Sequence, residues 1–401
     1  MQEEKGKALS GWRLLDMTDS LGFYCVKLLA DMGADVIKIE RPGGDSARLI
    51  GPFESDLPHP EKSLSFLYFN ANKRGITLNI ETPEGQEIFK ALIKKTDIFV
   101  ETFNPGYLPN LNLGYETLSL LNPSLIMTSI SGFGQSGPYS QYEASDIVGF
   151  AMGGLMALSG EPDGPPCVAP DNQAYIMAGA HAAASTLAAL FYRQMTGKGQ
   201  YIDASMLEAM TQVIDCGITR YSVTKEMTKR FRLPTDVSPE GNYPCKDGYV
   251  RISIFTQRNW RNLLEWIGDP PELLDPKWEE GSNRRGQRDI IDPPISAFTM
   301  NYTKAELYEI GQKMRVPITP VNTPEEFMND PHTIAREFFV QVNHPVAGTI
   351  KYPGAPFRLS GTPWSIECPA PLVGQHNEEI YRGELGMSEA ELAQLREKEI
   401  I

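Results

Sequence analysis

Few side chains here stand where their type and spacing could do chemistry, and the foremost is a carboxylate. Asp171 lies between Pro170 and a long Ala-rich stretch that begins near Gln173. An aspartate in that place is a favoured helix N-cap, because its carboxylate can accept the unpaired N–H groups of the first turn. The same place suits a nucleophile. Nearby N–H groups and the helix dipole can stabilise the oxyanion formed when a carboxylate attacks a carbonyl. Gly164-Pro165-Pro166 forms a rigid approach to the loop. Position alone does not separate cap from nucleophile.

Lys38, Arg41, Lys73 and Arg74 stand at the ends of early strands. Each alone reads as solvated surface charge. Together, at the strand ends of an open α/β sheet, they could line a phosphate-binding crevice. Gly132-Phe133-Gly134-Gln135-Ser136-Gly137 matches GxGxxG and follows a strand. The dinucleotide fingerprint, however, requires its last glycines to open a helix. Here Pro138-Tyr139-Ser140 follows without helical periodicity, and the motif comes after several strands, so a shaped loop is the better reading. No Ser-His-Asp or Cys-His arrangement follows from spacing, and His181, mid-helix among alanines, reads as a packed residue.

The five cysteines (Cys25, Cys167, Cys216, Cys245, Cys368) are scattered without CxxC spacing, and the five histidines form no HExxH. A reduced protein without disulfide framework or metal site is expected. Met1-Gln2-Glu3-Glu4-Lys5 starts no basic-then-apolar leader, and stretches such as Ala178 to Phe191 are broken by His181, Ser185 and Thr186. No bilayer span is expected, and the expected location is the cytoplasm. The formal charge of −14 argues against nucleic acid as a partner.

The elements that must position these residues alternate strand and helix over the first 205 residues, which favours a largely parallel sheet. Strands are expected at Arg13–Asp16, Asp35–Glu40, Ile76–Ile80, Ile98–Glu101 and Leu125–Ser129. Helices are expected at Tyr24–Met32 with Gly33 as cap, after Thr82-Pro83, and at Gln173–Met195. Gly197-Lys198-Gly199 then turns the chain into Gln200–Asp203. Residues 206–242 read as a connector and 243–329 as a small α+β domain, with a strand at Tyr249–Phe255 and helices at Trp260–Ile267 and Lys304–Lys313. The tail reads as loop-rich up to Pro363 and ends in a helix over Glu389–Lys398 with Ser388 as its capping residue.

These segments together resemble the class III CoA-transferase family, which also contains the α-methylacyl-CoA racemases. The resemblance covers nearly the whole chain. It is carried by residues 28–42 (LLADMGADVIKIERP), Asn72-Lys73-Arg74-Gly75-Ile76-Thr77-Leu78, Phe103-Asn104-Pro105-Gly106, the loop Gly132 to Pro138 and Gly197-Lys198-Gly199-Gln200. Tyr243 to Gly248, Asn343-His344-Pro345 and Pro371 to His376 continue it. It implies an α/β fold with a Rossmann-like large domain built from both chain ends (1–205 and 330–401), the small middle domain, and two subunits interlocked like links. It places the nucleophile at Asp171, with Asp146 at the family's acidic supporting position. It puts CoA contacts at Lys38, Arg41, Lys73, Arg74, Thr102, Phe103 and Asn104. The implied substrates are an acyl-CoA thioester and a carboxylic acid, with no tightly bound cofactor. In the implied mechanism Asp171 forms an acyl anhydride and then a CoA thioester, with backbone N–H groups stabilising the oxyanions. CoA carries several phosphate charges, so so acidic a protein must gather positive charge locally.

The chain also departs from the family. Racemases carry a His-Asp pair where Ser145-Asp146 stands, and Ser145 cannot serve as the second base. Asn110 replaces an Arg that contacts CoA, Thr102 stands where Asn is usual, and the loop Asp19 to Phe23 lacks the usual Gly-Pro. The glycine run of formyl-CoA transferases is missing around Ser238 to Gly241, which argues against formyl or oxalyl transfer. A nucleophile kept while CoA contacts are lost points to a homologous second subunit in a hetero-oligomer. The two-subunit succinyl-CoA:benzylsuccinate transferases of anaerobic toluene degradation are similar in this respect. An acyl-CoA isomerase of the same fold and a non-catalytic partner subunit are the competing expectations.

Overall fold

The computed structural model describes residues 6–161, 163–214, 217–227, 230 and 237–401. The chain divides into two compact units, one of residues 1–156, 168–219 and 335–401, the other of residues 157–167 and 220–334. In the first unit, strands β1 (Arg13–Met17), β2 (Asp35–Glu40), β3 (Lys73–Thr77), β4 (Ile98–Glu101), β5 (Ile126–Ser131) and β6 (Tyr201–Ser205) form one sheet in the order β3-β2-β1-β4-β5-β6. All five pairings are parallel. Strands β2, β4 and β5 are buried along almost their whole length, as a sheet covered by helices on both faces requires.

The covering helices are α1 (Phe23–Asp31), α2 (Leu64–Phe69), α3 (Pro83–Ile93), α4 (Tyr107–Asn110), α5 (Tyr115–Leu121), α6 (Asp146–Met152), α7 (Gln173–Thr196) and α8 (Met206–Thr211). One apolar core joins α1 and α7 to the sheet, and a second joins the opposite face to α3 and α5. Thr82 Oγ1 accepts the Gly85 N–H at 3.1 Å to start α3, with Pro83 at the first helical position. By length and composition α7 is apolar enough to cross a membrane, contrary to the expectation from its interrupting polar residues. Ala174, Ala178, Gly179, Ala182, Ala183, Thr186, Ala189 and Leu190 are nevertheless buried in the fold. Its small residues serve close packing: a Cβ on Gly179 would lie 2.9 Å from the Cys25 backbone nitrogen in α1.

The second unit holds an antiparallel sheet of β7 (Glu240–Cys245), β8 (Gly248–Ser253) and β9 (Ile318–Pro320). Helices α9 (Gln257–Ile267), α10 (Arg288–Thr299) and α11 (Lys304–Met314) accompany it, with Trp260, Leu263, Ile295 and Leu307 in a shared core. The chain then returns to the first unit with an antiparallel hairpin of β10 (Phe339–His344) and β11 (Gly348–Pro353), a π-helical turn at Glu378–Glu384, and α12 (Glu389–Glu397). Ser388 and Glu391 close a capping box on α12.

Three sequence expectations need correction. β3 runs Lys73–Thr77 rather than Ile76–Ile80, because Val36 to Glu40 of β2 pair with Lys73 to Thr77. Beyond it the chain leaves the sheet, and the Asn79 N–H donates to the Ile400 carbonyl at 2.8 Å. The tail expected to be loop contains the β10–β11 hairpin. Residues 206–242 contribute α8 and a helix over Gly217–Thr224, while 215–216, 228–229 and 231–236 of that stretch lie outside the described residues.

Lys38 and Lys73 are not surface cations. Asp16 of β1, fully buried, binds Lys73 Nζ at 2.7 Å and accepts both the N–H and the hydroxyl of Thr18. Lys38 Nζ donates to the Thr18 carbonyl at 2.9 Å and pairs with Asp45 at 3.0 Å. Burial works against the Asp16 charge, but the Lys73 and Lys38 ammoniums outweigh it and hold the carboxyl below its ordinary range. Removing one partner of such a pair leaves a buried, uncompensated charge. Lys73→Ala is therefore expected to destabilise the protein by about 3–5 kcal/mol, read from urea unfolding. A loss under ~1 kcal/mol, as for an exposed pair, would contradict this account.

Candidate active site

In a parallel sheet every strand delivers its carboxyl end to the same edge, and a crevice opens where the strand order reverses. Here that point lies between β1 and β4. A crevice of about 480 Å³ occupies it, lined by Thr18 and Asp19 after β1, Arg41 and Asp45 after β2, Asn79 and Glu81 after β3, and Thr102 and Phe103 after β4. Tyr107 of α4 and Lys398, just past α12, complete the wall. Thr102 Oγ1 accepts the Asp19 N–H at 2.8 Å and so ties the β1 and β4 loops together. The Phe103 ring stacks on Tyr107, centroids 4.6 Å apart and planes at 27°, giving the crevice a flat aromatic side.

The residues expected to contact CoA are not all brought together. Arg41, Thr102 and Phe103 line the crevice. Arg41 is exposed and makes no ion pair among the described residues. Lys38 and Lys73 lie beneath, their ammoniums held by carboxylates. Arg74 is drawn elsewhere, to Asp35 at 2.7 Å, Glu379 at 2.6 Å and Glu384 at 2.8 Å, where the tail is fastened to the starts of the strands. Asn104 lines a second cavity, of about 550 Å³, together with Phe103, Glu101, Tyr115, Gln135 and Tyr201. Lys398 and Glu101 were missed by sequence reasoning. Lys398, with its neighbour Glu399, lies hundreds of residues from the other crevice residues, and Glu101 carries no local signal beyond ending a strand.

Glu101 is 3% exposed and accepts the Phe103 N–H at 2.6 Å. Burial pushes its carboxyl up to about 7, helped by the Asp19 and Asp203 carboxylates and opposed by that hydrogen bond. The neighbouring GxGxxG segment is a loop: Gln135 N–H donates to both Asp203 carboxylate oxygens at 3.0 Å, and a turn rather than a helix follows Gly137.

At the start of α7 the N–H groups are fully allocated. Asp146, the first residue of α6, accepts from Ala174 N–H at 2.7 Å and from Tyr175 N–H at 3.1 Å through Oδ1. Gln173 N–H goes to the Asp171 carbonyl and Ile176 N–H to the Asn172 carbonyl. Asp171 is thus not the cap. Asn172 holds the N-cap place without a side-chain bond, and Asp146 caps from a separate helix. The first-turn N–H groups expected to stabilise an oxyanion are occupied. Asp171 itself is exposed, in the left-handed region at φ +63°, and its carboxylate accepts no hydrogen bond among the described residues. His181, expected to be packed, is exposed. Among the described residues no group of three or more His, Cys, Asp or Glu is placed to hold a metal ion.

The family model described as CoA-transferase family III matches residues 9–377. The succinyl-CoA:(R)-benzylsuccinate CoA-transferase subunit BbsE of Thauera aromatica is 36% identical over 386 residues, 94% of each chain. The succinyl-CoA–D-citramalate CoA-transferase of Chloroflexus aurantiacus is 36% identical over 399 residues, 98% of each. The crystal structure of a CAIB/BAIF family protein from Brucella suis superposes with a TM-score of 0.87 at 30% identity, over 95% of this chain and 100% of that one.

The Glu101 environment gives a signed expectation. Its carboxyl keeps a proton up to about 7 in the folded protein, whereas the unfolded one releases it near 4.5. The unfolded state therefore loses protons first, and stability should fall as pH rises between these values. Glu101→Gln removes that slope, so its stability relative to wild type should improve by up to about 3 kcal/mol from pH 4.5 to 7.5. Urea unfolding across this range checks it, and parallel profiles for the two proteins would refute it.

Proposed function

The chain belongs to CoA-transferase family III, and from that premise we propose that it moves coenzyme A from an acyl-CoA donor to a carboxylic acid acceptor with Asp171 as covalent nucleophile. Succinyl-CoA is the proposed donor, since both relatives described above are named for it. The observation that carries the reading is Asp171 itself: a carboxylate without a partner among the described residues, beside a helix start where a different aspartate has taken the Ala174 and Tyr175 N–H groups. Its lone pairs are free to attack.

In the proposed cycle a carboxylate oxygen of Asp171 attacks the thioester carbonyl, forming a mixed anhydride and releasing CoA thiolate. The thiolate attacks the Asp171 carbonyl, expelling the donor acid and leaving an aspartyl-CoA thioester. The acceptor carboxylate attacks that thioester, giving a second anhydride and thiolate. Thiolate attack on the acceptor's carbonyl then releases the new acyl-CoA and regenerates the carboxylate. Asp146 positions the turn that carries Asp171. Arg41, Thr102 and Phe103 contact the nucleotide end of CoA in the crevice. Lys38 and Lys73 act from beneath, by fixing the Thr18–Asp19 loop.

The proposal extends to assembly. The exposed face of α7 carries Ala184, Ala188, Phe191 and Met195, with Phe191 63% and Met195 64% exposed, a contiguous apolar stripe suited to burial by another chain. A second subunit, identical or homologous, interlocked with this one is the proposed arrangement. That the benzylsuccinate relative is named as a subunit supports assembly with another chain.

Asp171→Ala is expected to lower kcat at least ~10³-fold while CoA binding persists. Hydroxylamine or borohydride treatment in the presence of succinyl-CoA should modify the wild-type peptide containing Asp171, as read by mass mapping. Unchanged activity of the variant would favour a non-catalytic subunit. If the homologous-partner form holds, this chain expressed alone should show little transferase activity, and full activity of a pure homodimer would exclude it.

A further inference from the structure

The crevice is poor in usable positive charge. Among its lining residues only Arg41 and Lys398 are cationic, against Asp19, Glu40, Asp45, Glu81 and Glu399. Two of those acids are already matched, Glu40 by the buried Arg48 at 2.7 Å and Asp45 by Lys38 at 3.0 Å. A ligand carrying several phosphate charges must therefore meet both Arg41 and Lys398.

The ends of the crevice are distinguishable. Helix α7, which follows Asp171, packs on α1, β5 and β6. Lys398 belongs to the other edge, where the Ile400 carbonyl receives the Asn79 N–H just past β3. If the reacting thioester lies at Asp171, the nucleotide lies toward Lys398. In CoA the 3′-phosphate hangs from the ribose, at the end of the molecule remote from the sulfur.

The Lys398 backbone is anchored in the fold, while its ammonium is held by an exposed ion pair. Its N–H donates to the Gln394 carbonyl at 3.1 Å, and Ile400, two residues on, is buried. Its ammonium meets Glu84 at 3.0 Å, with both side chains about half exposed. A solvent-screened pair of this kind is weak, so the ammonium can exchange the carboxylate for a dianionic phosphate. Glu84, released, would stay favourable in the first turn of α3, where the helix dipole suits an anion.

We infer that Lys398 is the specificity-determining cation for the 3′-phosphate of the CoA thioester, held in reserve by Glu84 until the ligand arrives. The inference rests on the transferase reading of the crevice.

The test is calorimetric binding of CoA and of dephospho-CoA, which lacks only that phosphate, to the assembled protein. Wild type should prefer CoA. Lys398→Ala should weaken CoA about three- to tenfold and leave dephospho-CoA unchanged. Glu84→Gln should tighten CoA alone, by about two- to threefold. Both variants lose the same surface ion pair, so a merely structural role would shift them in the same direction. Wild-type preference retained by Lys398→Ala, or equal weakening of both ligands, would overturn the assignment while leaving the transferase reading intact. Wild-type protein that binds neither ligand would bring down both.

Discussion

Asp16 sits in the first strand with no access to water, and its charge is met from the two strands on one side, by Lys73 directly and by Lys38 across Thr18. Both ammoniums also lie near the Phe23 ring that opens α1, at 5.6 and 4.7 Å from its centroid. Desolvating three charges is costly, so the arrangement persists only while each is matched. What it secures is geometry: Thr18 is bonded through its N–H, hydroxyl and carbonyl, and the next residue ties to Thr102 across the reversal of strand order. The floor of the crevice thus depends on ion pairs beneath the sheet edge.

A comparable economy governs the start of α7. Four N–H groups open any helix unpaired, and the dipole draws negative charge to them. Were Asp171 the cap, its carboxylate would be stabilised as an anion and its lone pairs committed, which lowers nucleophilicity. Asp146 takes that place from another helix and leaves Asp171 in a left-handed turn that aspartate tolerates better than most residues. The cost is that the first-turn N–H groups cannot also receive an oxyanion without displacing Asp146.

Much of the sheet was legible because local rules fix it. Apolar runs of four to six residues, Thr82-Pro83 before α3, and Ser388 with Glu391 at α12 carry their meaning within one turn of chain. The third strand was misplaced by three residues because its bounds are set by pairing with β2, not by its own hydrophobicity. Lys38, Lys73 and Arg74 read as equivalent cations near strand ends. Their separate fates depend on carboxylates at Asp45, Asp16 and Asp35, whose nearness only the folded chain creates. Asp146 was named at the family's supporting position, but its capping of a helix it does not belong to, like Lys398 at the crevice, was hidden for the same reason: both are consequences of tertiary approach.

The distribution of charge connects these observations. A chain with a formal charge of −14 repels a polyanion at long range, so recognition must come from a few cations within about a Debye length of the ligand. Arginines and lysines that satisfy buried carboxylates contribute little to that field, since each is neutralised at hydrogen-bond distance. The usable cations are those with weak or absent internal partners. In the crevice these stand on different segments of chain, Arg41 after β2 and Lys398 after the last helix. Stability and ligand recognition therefore draw on different cations, and a substitution at Lys73 and one at Lys398 should fail in different ways, the first by loosening the sheet edge and the second by leaving the fold intact with weaker binding.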